Sequence, residues 1–219
     1  VDELAHKIDH TLLRADTSRS DIQKLCEEAM EYGFYSVCVN PSWVPQVRRL
    51  LSNSSVKICS VVGFPLGASS TKTKAYETAD LLEMGAHEVD MVINIGELKD
   101  QRDSEVVFDI EAVVRAAKSC PVKVIIETAL LTESEKVRAV EAIVKAGARF
   151  VKTCTGFNGG AASVSDIQLI RQKAGQYMGI KASGGIRTRQ QAEELLKAGA
   201  TRLGCSQSVQ IIKEGTPSK

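Results

Sequence analysis

Apolar residues along this chain fall into two alternating patterns. Short runs rich in Val and Ile recur at Lys57–Gly63, Val122–Glu127 and Gly179–Ala182, and again at Ser36–Asn40, Glu88–Ile93, Arg149–Cys154 and Arg202–Cys205. Their length and β-branched content predict strands, and near-continuous apolar content predicts strands buried on both faces, as in a parallel sheet. Between them the apolar positions recur at helical spacing. Asp21–Tyr32 sets Ile22, Leu25, Cys26 and Ala29 on one face, Ser134–Ala146 does so with Val137, Val140, Ile143 and Val144, and Gln191–Ala198 with Ala192, Leu195 and Leu196.

The boundaries repeat as well. Gly33-Phe34, Gly85-Ala86, Gly147-Ala148 and Gly199-Ala200 each close a helical stretch just before a strand, where glycine suits the left-handed residue that ends a helix. Thr132-x-x-Glu135, Ser165-x-x-Gln168 and Thr188-x-x-Gln191 read as capping boxes at helix starts. Strand, loop, capped helix, glycine, strand is a βα unit. With a short first strand at Ile8–Thr11 there are eight strands, which predicts a closed (β/α)8 barrel of the TIM type in a single domain over residues 1–219. A doubly wound open sheet is the alternative, but the G-x-G-x-x-G turn expected after its first strand is missing.

Composition narrows the chemistry. A net charge of +1 with scattered basic residues argues against nucleic acid or a polybasic membrane surface as partner. No apolar run approaches a membrane span, and the charged residues of Val1 to Ile8 do not read as a signal peptide. The six cysteines form no C-x-x-C pair and lie mostly in apolar patterns, so free thiols in a reducing cytoplasm are expected. The three histidines, His6, His10 and His87, match no spaced metal signature, so no metal is expected.

Barrel enzymes carry their chemistry at the C-terminal ends of the strands. Among the polar residues near those ends, three interrupt apolar strands: Asp90 in Val89-Asp90-Met91-Val92-Ile93, Lys152 in Phe150-Val151-Lys152-Thr153, and Lys181 in Ile180-Lys181-Ala182. Lysine is almost never fully buried unless its charge is compensated. Lys152 is then either an edge residue turned to water or an amine kept neutral to attack a carbonyl. A free lysine, with a pKa of ~10.4, is neutral at pH 7 to only about one part in a few thousand. A second ammonium ~5 Å away at an effective dielectric of ~20 disfavours the charge by roughly 3 kcal/mol, or about 2 pKa units. In this reading Asp90 pairs with the other lysine or carries protons through a water. The alternative is an ion pair that only ties strands together. In the last two loops, Ser183-Gly184-Gly185-Ile186-Arg187-Thr188 and Leu203-Gly204-Cys205-Ser206 have the glycines that let backbone N–H groups approach a phosphate, with Arg187 as a further contact or a solvated residue. Gly63-Phe64-Pro65-Leu66-Gly67 suits a tight turn that shapes the site floor.

These segments resemble the deoxyribose-phosphate aldolases nearly end to end. The likeness rests on Ile8-Asp9-His10-Thr11-Leu12-Leu13, Val37-Cys38-Val39-Asn40-Pro41, Val61-Val62-Gly63-Phe64-Pro65-Leu66-Gly67, Glu88-Val89-Asp90-Met91-Val92-Ile93-Asn94, Ile125-Ile126-Glu127-Thr128, Phe150-Val151-Lys152-Thr153 and Lys181-Ala182-Ser183-Gly184-Gly185-Ile186-Arg187. The resemblance implies a class I aldolase in which Lys152 forms the Schiff base with acetaldehyde, Lys181 tunes that amine and Asp90 handles protons. It implies that Thr11 lies on the substrate side, that Gly184, Gly185, Gly204 and Ser206 cradle the phosphate, and that Gly156 lies beside them. It also implies small phosphosugar and aldehyde substrates, no cofactor, and a homo-oligomer, dimer or higher. Two departures stand out: Cys154 where the family usually has Ser, and Gln207-Ser208 where it tends to have a small residue and Gly, so that Gln207 is expected to crowd the phosphate or replace a contact. Another Schiff-base lyase, a non-catalytic phosphosugar-binding barrel and a metal-dependent aldolase remain alternatives.

Overall fold

The computed structural model describes residues 2–214; Val1 and residues 215–219, the ends of the expected domain, lie outside the described residues. Eight parallel strands close into a barrel in chain order: β1 (Ile8–Leu12), β2 (Ser36–Val39), β3 (Lys57–Val62), β4 (Glu88–Val92), β5 (Val122–Ile125), β6 (Phe150–Lys152), β7 (Gly179–Ser183) and β8 (Arg202–Cys205). Helices α1 (Arg19–Tyr32), α2 (Val44–Leu50) and α3 (Thr71–Met84) follow the first three strands. Then come α4 (Ile95–Lys99) and α5 (Asp103–Ala117), α6 (Glu133–Lys145), α7 (Val164–Ala174), α8 (Arg189–Lys197) and α9 (Ser208–Lys213). The predicted (β/α)8 barrel is the observed architecture.

Alternation along each strand divides the interior in two. Val37, Val89, Val124, Val151, Ile180 and Leu203 belong to the large apolar core shared with the helices and are fully buried. Burying each such side chain stabilises the fold by roughly 1.5–3 kcal/mol. The intervening residues Cys38, Asp90, Lys123, Lys152, Lys181 and Arg202 are also buried, but they turn into the barrel. Polar and charged groups therefore fill much of a space that in many barrels is packed with Val, Ile and Leu.

Local signals set most boundaries. Gly33, Gly85, Gly147 and Gly199 all take positive φ, as the glycine pattern requires. The capping boxes at Thr132 and Thr188 form, and Ser18 makes another with Asp21. At α7 the expectation fails. Ser163, extended at φ −123° and ψ 149°, accepts from the Asp166 N–H and caps the helix. Ser165 already lies within the first turn and is not in the extended conformation a cap needs. The strand expected over Val122–Glu127 stops at Ile125, because Glu127 sits in the left-handed region at φ 55° and turns the chain. Outside the barrel, a fully buried Lys74 on α3 donates to Asp109 Oδ2 on α5 at 2.6 Å and to the Val92 carbonyl at 3.0 Å, tying both helices to the end of β4.

Among the described residues no helix is long and apolar enough to cross a membrane.

Candidate active site

Strand register brings the predicted trio together. Lys152 and Lys181 are register partners on β6 and β7, so their side chains leave the same face of the sheet. Asp90 reaches both from β4: its Oδ2 accepts from Lys152 Nζ at 2.7 Å and from Lys181 Nζ at 2.8 Å. Where the sequence predicts Asp90 paired with the other lysine or working through a water, one carboxylate oxygen serves both amines.

Closure of the barrel adds Lys123, Glu88, Arg202 and Cys59, which sequence reading did not connect to the site, and brings in Asp9 from β1. Lys123, the register partner of Asp90 on β5, donates to Asp90 Oδ1 at 2.8 Å and lies 2.7 Å from Glu88 Oε2. Asp9 Oδ2 stands 2.5 Å from Lys181 Nζ and 3.8 Å from Lys123 Nζ. Arg202 donates to Asp9 Oδ1 at 2.9 Å and to Glu88 Oε2 at 3.2 Å, with its guanidinium stacked 3.4 Å from the centre of the Tyr35 ring. The Cys59 thiol donates to Asp90 Oδ1 at 3.1 Å. Lys123, Lys152, Lys181 and Arg202 are four bases; Asp9, Glu88 and Asp90 are three acids. One base therefore lacks a counter-charge of its own.

Burial works against every charge in this layer, and the partners decide the outcome. Desolvation lowers the Lys181 pKa, but Asp9 and Asp90 outweigh it and hold it above the ordinary lysine range. Lys123 is likewise desolvated and is held well above that range, chiefly by Asp90. Burial raises the Asp90 pKa, yet Lys123, Lys152 and Lys181 together bring it well below the usual carboxylate value. Asp9 is lowered in the same way, by Lys181, Lys123 and Arg202 against burial. Lys181 is therefore the retained ammonium of the pair.

Above this layer opens a cavity of about 590 Å³. Its lining includes Lys152 together with Thr11, Gly156, Gly184, Gly185, Gly204 and Ser206, so every substrate-side residue expected from the sequence faces one space. Lys152 is 3% exposed at its floor, whereas Asp90 and Lys181 are 0% exposed beneath it. Gly184 (φ 96°) leaves no room for a side chain, since a Cβ there would lie 2.8 Å from the Gly160 carbonyl oxygen. Behind the cradle, Thr153 Oγ1 donates to the Ser183 carbonyl at 2.8 Å and accepts from the Ser183 N–H at 3.0 Å, locking the β6 and β7 ends together. Glu127, fully buried, accepts from the Thr155 N–H at 3.1 Å and from Asn158 Nδ2 at 2.8 Å, which fixes the loop carrying Gly156.

Arg187 does not line the cavity; it is exposed, and its N–H donates to Gln191 Oε1 at 2.9 Å. Arg14, not singled out from the sequence, is the guanidinium that does. Gln207 lines a neighbouring cavity rather than this one, so it does not crowd the cradle. The Gly63–Gly67 loop meets the cavity wall rather than its floor, through Phe64 edge-on to Phe157 with ring centres 5.2 Å apart. Among the described residues, Cys38, Cys59 and Asp90, and also Asp9, Cys59 and Glu88, bring three metal-ligand atoms within 4.8 Å of one another. Their carboxylates already face ammonium and guanidinium groups, and a further cation would add to a layer that has surplus base.

Comparison with known proteins places these features in context. The sequence model of the DeoC/LacD family aldolases matches residues 4–206. A deoxyribose-phosphate aldolase of Geobacillus sp. (strain WCH70) is 56% identical over 214 residues, covering 97% of this chain and 96% of that protein. One of Bacillus cereus (strain ATCC 10987 / NRS 248) is 56% identical over 210 residues, covering 95% of this chain and 94% of that protein. Among solved structures, the tetrameric deoxyribose phosphate aldolase of Aeropyrum pernix superposes with a TM-score of 0.90 at 34% identity, covering 96% of this chain and 90% of that one.

Proposed function

The chain belongs to the DeoC/LacD family of aldolases, and from that premise we propose that it cleaves 2-deoxy-D-ribose 5-phosphate reversibly to D-glyceraldehyde 3-phosphate and acetaldehyde, in deoxyribose phosphate catabolism. The bond is broken through a Schiff base on Lys152. One observation carries the assignment: of the two adjoining lysines, only Lys152 meets the cavity, while Lys181 lies sealed beneath it between two carboxylates. Lys152 shares its Asp90 oxygen with Lys181 and, unlike Lys181, stands at the cavity, so it is the lysine placed to attack the substrate carbonyl.

Lys152 Nζ adds to the aldehyde carbon, and Asp90, 2.7 Å away, takes the proton released from nitrogen. The adduct's alkoxide takes up one proton from solvent to become a hydroxyl, and the proton held by Asp90 then passes to that hydroxyl, which leaves as water and gives the iminium. Transfer of the proton from the hydroxyl on the third carbon to Asp90, again a carboxylate, lets the bond between the second and third carbons break. D-glyceraldehyde 3-phosphate departs, and the electron pair passes into the iminium to give an enamine. Protonation of the enamine and addition of water then release acetaldehyde and restore the amine. Lys181 stays an ammonium throughout, holding Asp90 in place and steadying each negative charge that develops. Gly184, Gly185, Gly204 and Ser206, with Gly156 beside them, take the phosphate, Thr11 faces the substrate, and Arg14 supplies a positive charge at the rim. The imine is itself the electron sink, so the proposal includes no cofactor and no metal.

The same proposal takes residues 1–219 as one catalytic domain. It sets the protein in a reducing cytoplasm, in keeping with six free cysteines. It also makes the protein a homo-oligomer, for which Tyr76 on α3 and Phe108 on α5 offer exposed apolar surface.

Borohydride added with acetaldehyde is expected to trap a covalent adduct on Lys152, identified by peptide mass spectrometry. Lys152→Leu should abolish cleavage while the barrel stays folded. An adduct on Lys181, or no adduct in a protein that cleaves the substrate, overturns the assignment.

A further inference from the structure

Behind the phosphate side of the cavity lies a chain of polar groups, with His10 and Ser208 buried and Glu28 half-buried, that this chemistry does not use. His10 follows Asp9 on β1 and, by strand alternation, turns outward between α1 and α9. Its Nε2 is 2.9 Å from Glu28 Oε2 on α1, and its Nδ1 is 2.9 Å from the hydroxyl of Ser208, the first residue of α9. Ser208 Oγ in turn donates to the Cys205 carbonyl at 3.0 Å. Lys24 flanks Glu28 at 3.8 Å, and the Phe34 ring covers the imidazole with centres 4.9 Å apart.

Serine, histidine and carboxylate in a row resemble the triad of a nucleophilic hydrolase. This one does not act as such: Ser208 is fully buried, outside the lining of the cavity, and its proton points at a backbone carbonyl. The chain has three gaps to fill, Glu28 to His10, His10 to Ser208, and Ser208 to Cys205. A neutral imidazole and one hydroxyl bring two protons; a third is present only when His10 is an imidazolium facing Glu28. Burial lowers the His10 pKa, with Glu28 acting against it.

The value of the chain lies in what it holds. His10 and Cys205 are register partners on β1 and β8. Only Ser206 and Gln207 separate β8 from α9, and Gly204, Cys205 and Ser206 line the cavity on the opposite side. The cradle strand end is thus pinned from behind at both ends of a two-residue turn. We propose that His10 is a positioning residue for the phosphate, fixing the Gly204–Ser206 segment through Ser208. The inference rests on the phosphate-cradle reading above and extends it to groups that never touch the substrate.

Two amide variants separate positioning from packing. Asparagine sets an amide where His10 has Nδ1 and keeps the link to Ser208; glutamine reaches the place of Nε2 and keeps only the link to Glu28. His10→Gln is expected to raise KM for 2-deoxyribose 5-phosphate about tenfold, the loss of roughly one hydrogen bond. Its kcat should stay within about twofold, as should the turnover of unphosphorylated 2-deoxyribose. Ser208→Ala should match it, the double variant should be no worse than either single, and His10→Asn should keep KM within about twofold of wild type. Equal losses in His10→Asn and His10→Gln, an unchanged KM in both His10→Gln and Ser208→Ala, or an equal loss on the unphosphorylated sugar overturns the proposal. Titration with inorganic phosphate in a calorimeter tests the cradle apart from the reaction: affinity should fall about tenfold in His10→Gln. An unchanged phosphate affinity sinks the positioning role, whereas a wild type that binds phosphate but does not cleave the sugar sinks the assigned reaction alone.

Discussion

Asp90 and Lys181 are best tested as a pair. Asp90→Asn removes a carboxylate that accepts from three lysine Nζ atoms at 2.7 to 2.8 Å. The four bases then face two acids. Lys181→Met leaves three bases against three acids, and it deprives Asp9 Oδ2 of a partner at 2.5 Å, with Lys123 the next base at 3.8 Å. Removing one member of a buried pair is destabilising by about 3–5 kcal/mol. In a chain of this size each kcal/mol lowers Tm by roughly 2–4 °C, so each single variant should melt roughly 6–20 °C below wild type. The double variant removes one base and one acid and restores the original surplus of one base. It should therefore be less destabilised than the sum of the two singles by about 2–3 kcal/mol, the upper end of coupling between contacting residues. Activity should behave differently. Each single change should lower kcat at least ~100-fold, and the double should recover none of it, because proton transfer needs the groups themselves and not only their charge balance. Thermal unfolding followed by circular dichroism, beside a cleavage assay, reads both quantities. Additive losses of stability would refute the shared-charge account, and recovery of activity in the double would remove Asp90 from proton transfer.

Two further outcomes follow from the same geometry. Gly184→Ala forces a Cβ to 2.8 Å from the Gly160 carbonyl oxygen at a φ of 96°, a strain of about 1–3 kcal/mol, and steady-state kinetics should show a raised KM for the phosphorylated sugar with kcat largely kept; an unchanged KM would remove Gly184 from the cradle. The folded-state pKa values of Asp9 and Asp90 are depressed, so the unfolded chain takes up protons first as pH falls. Their contribution to stability is present above the unfolded value of about 3.9 and is lost as pH drops through the folded values, so urea unfolding should weaken steeply below about pH 4, with a shallower slope in Asp90→Asn. Equal slopes would show that Asp90 does not carry the acid sensitivity.

Much of this architecture is legible in the sequence because its signals are local. Strands announce themselves by Val and Ile runs, helix ends by Gly33, Gly85, Gly147 and Gly199, and Lys152, Lys181 and Asp90 by breaking apolar runs. Lys123 breaks Val122-Lys123-Val124 in the same way, but it stands near the start of its strand, where a barrel site is not sought. Asp9, Glu88 and Arg202 lie at or near strand starts, where a polar residue is ordinary. Their roles arise only when closure sets β1, β4, β5 and β8 around one interior, a fact carried by contacts as much as 193 residues apart. The choice of Arg14 over Arg187 and the dual use of Asp90 Oδ2 likewise depend on loop paths and side-chain reach, which spacing does not encode.

An interior built like a small salt crystal has a consequence for how such a protein decays. In many enzymes the reactive groups are a burden on the fold, and discarding them makes the scaffold sturdier. Here the groups differ. Lys181 and Asp90 are lattice points, and a lineage that drops either one risks the barrel itself. Lys152 shares its carboxylate oxygen with Lys181 and holds no place in the lattice alone. A copy freed from its metabolic duty can part with the proposed nucleophile alone and keep its shape, leaving a silent barrel whose charged heart still records the reaction it once performed.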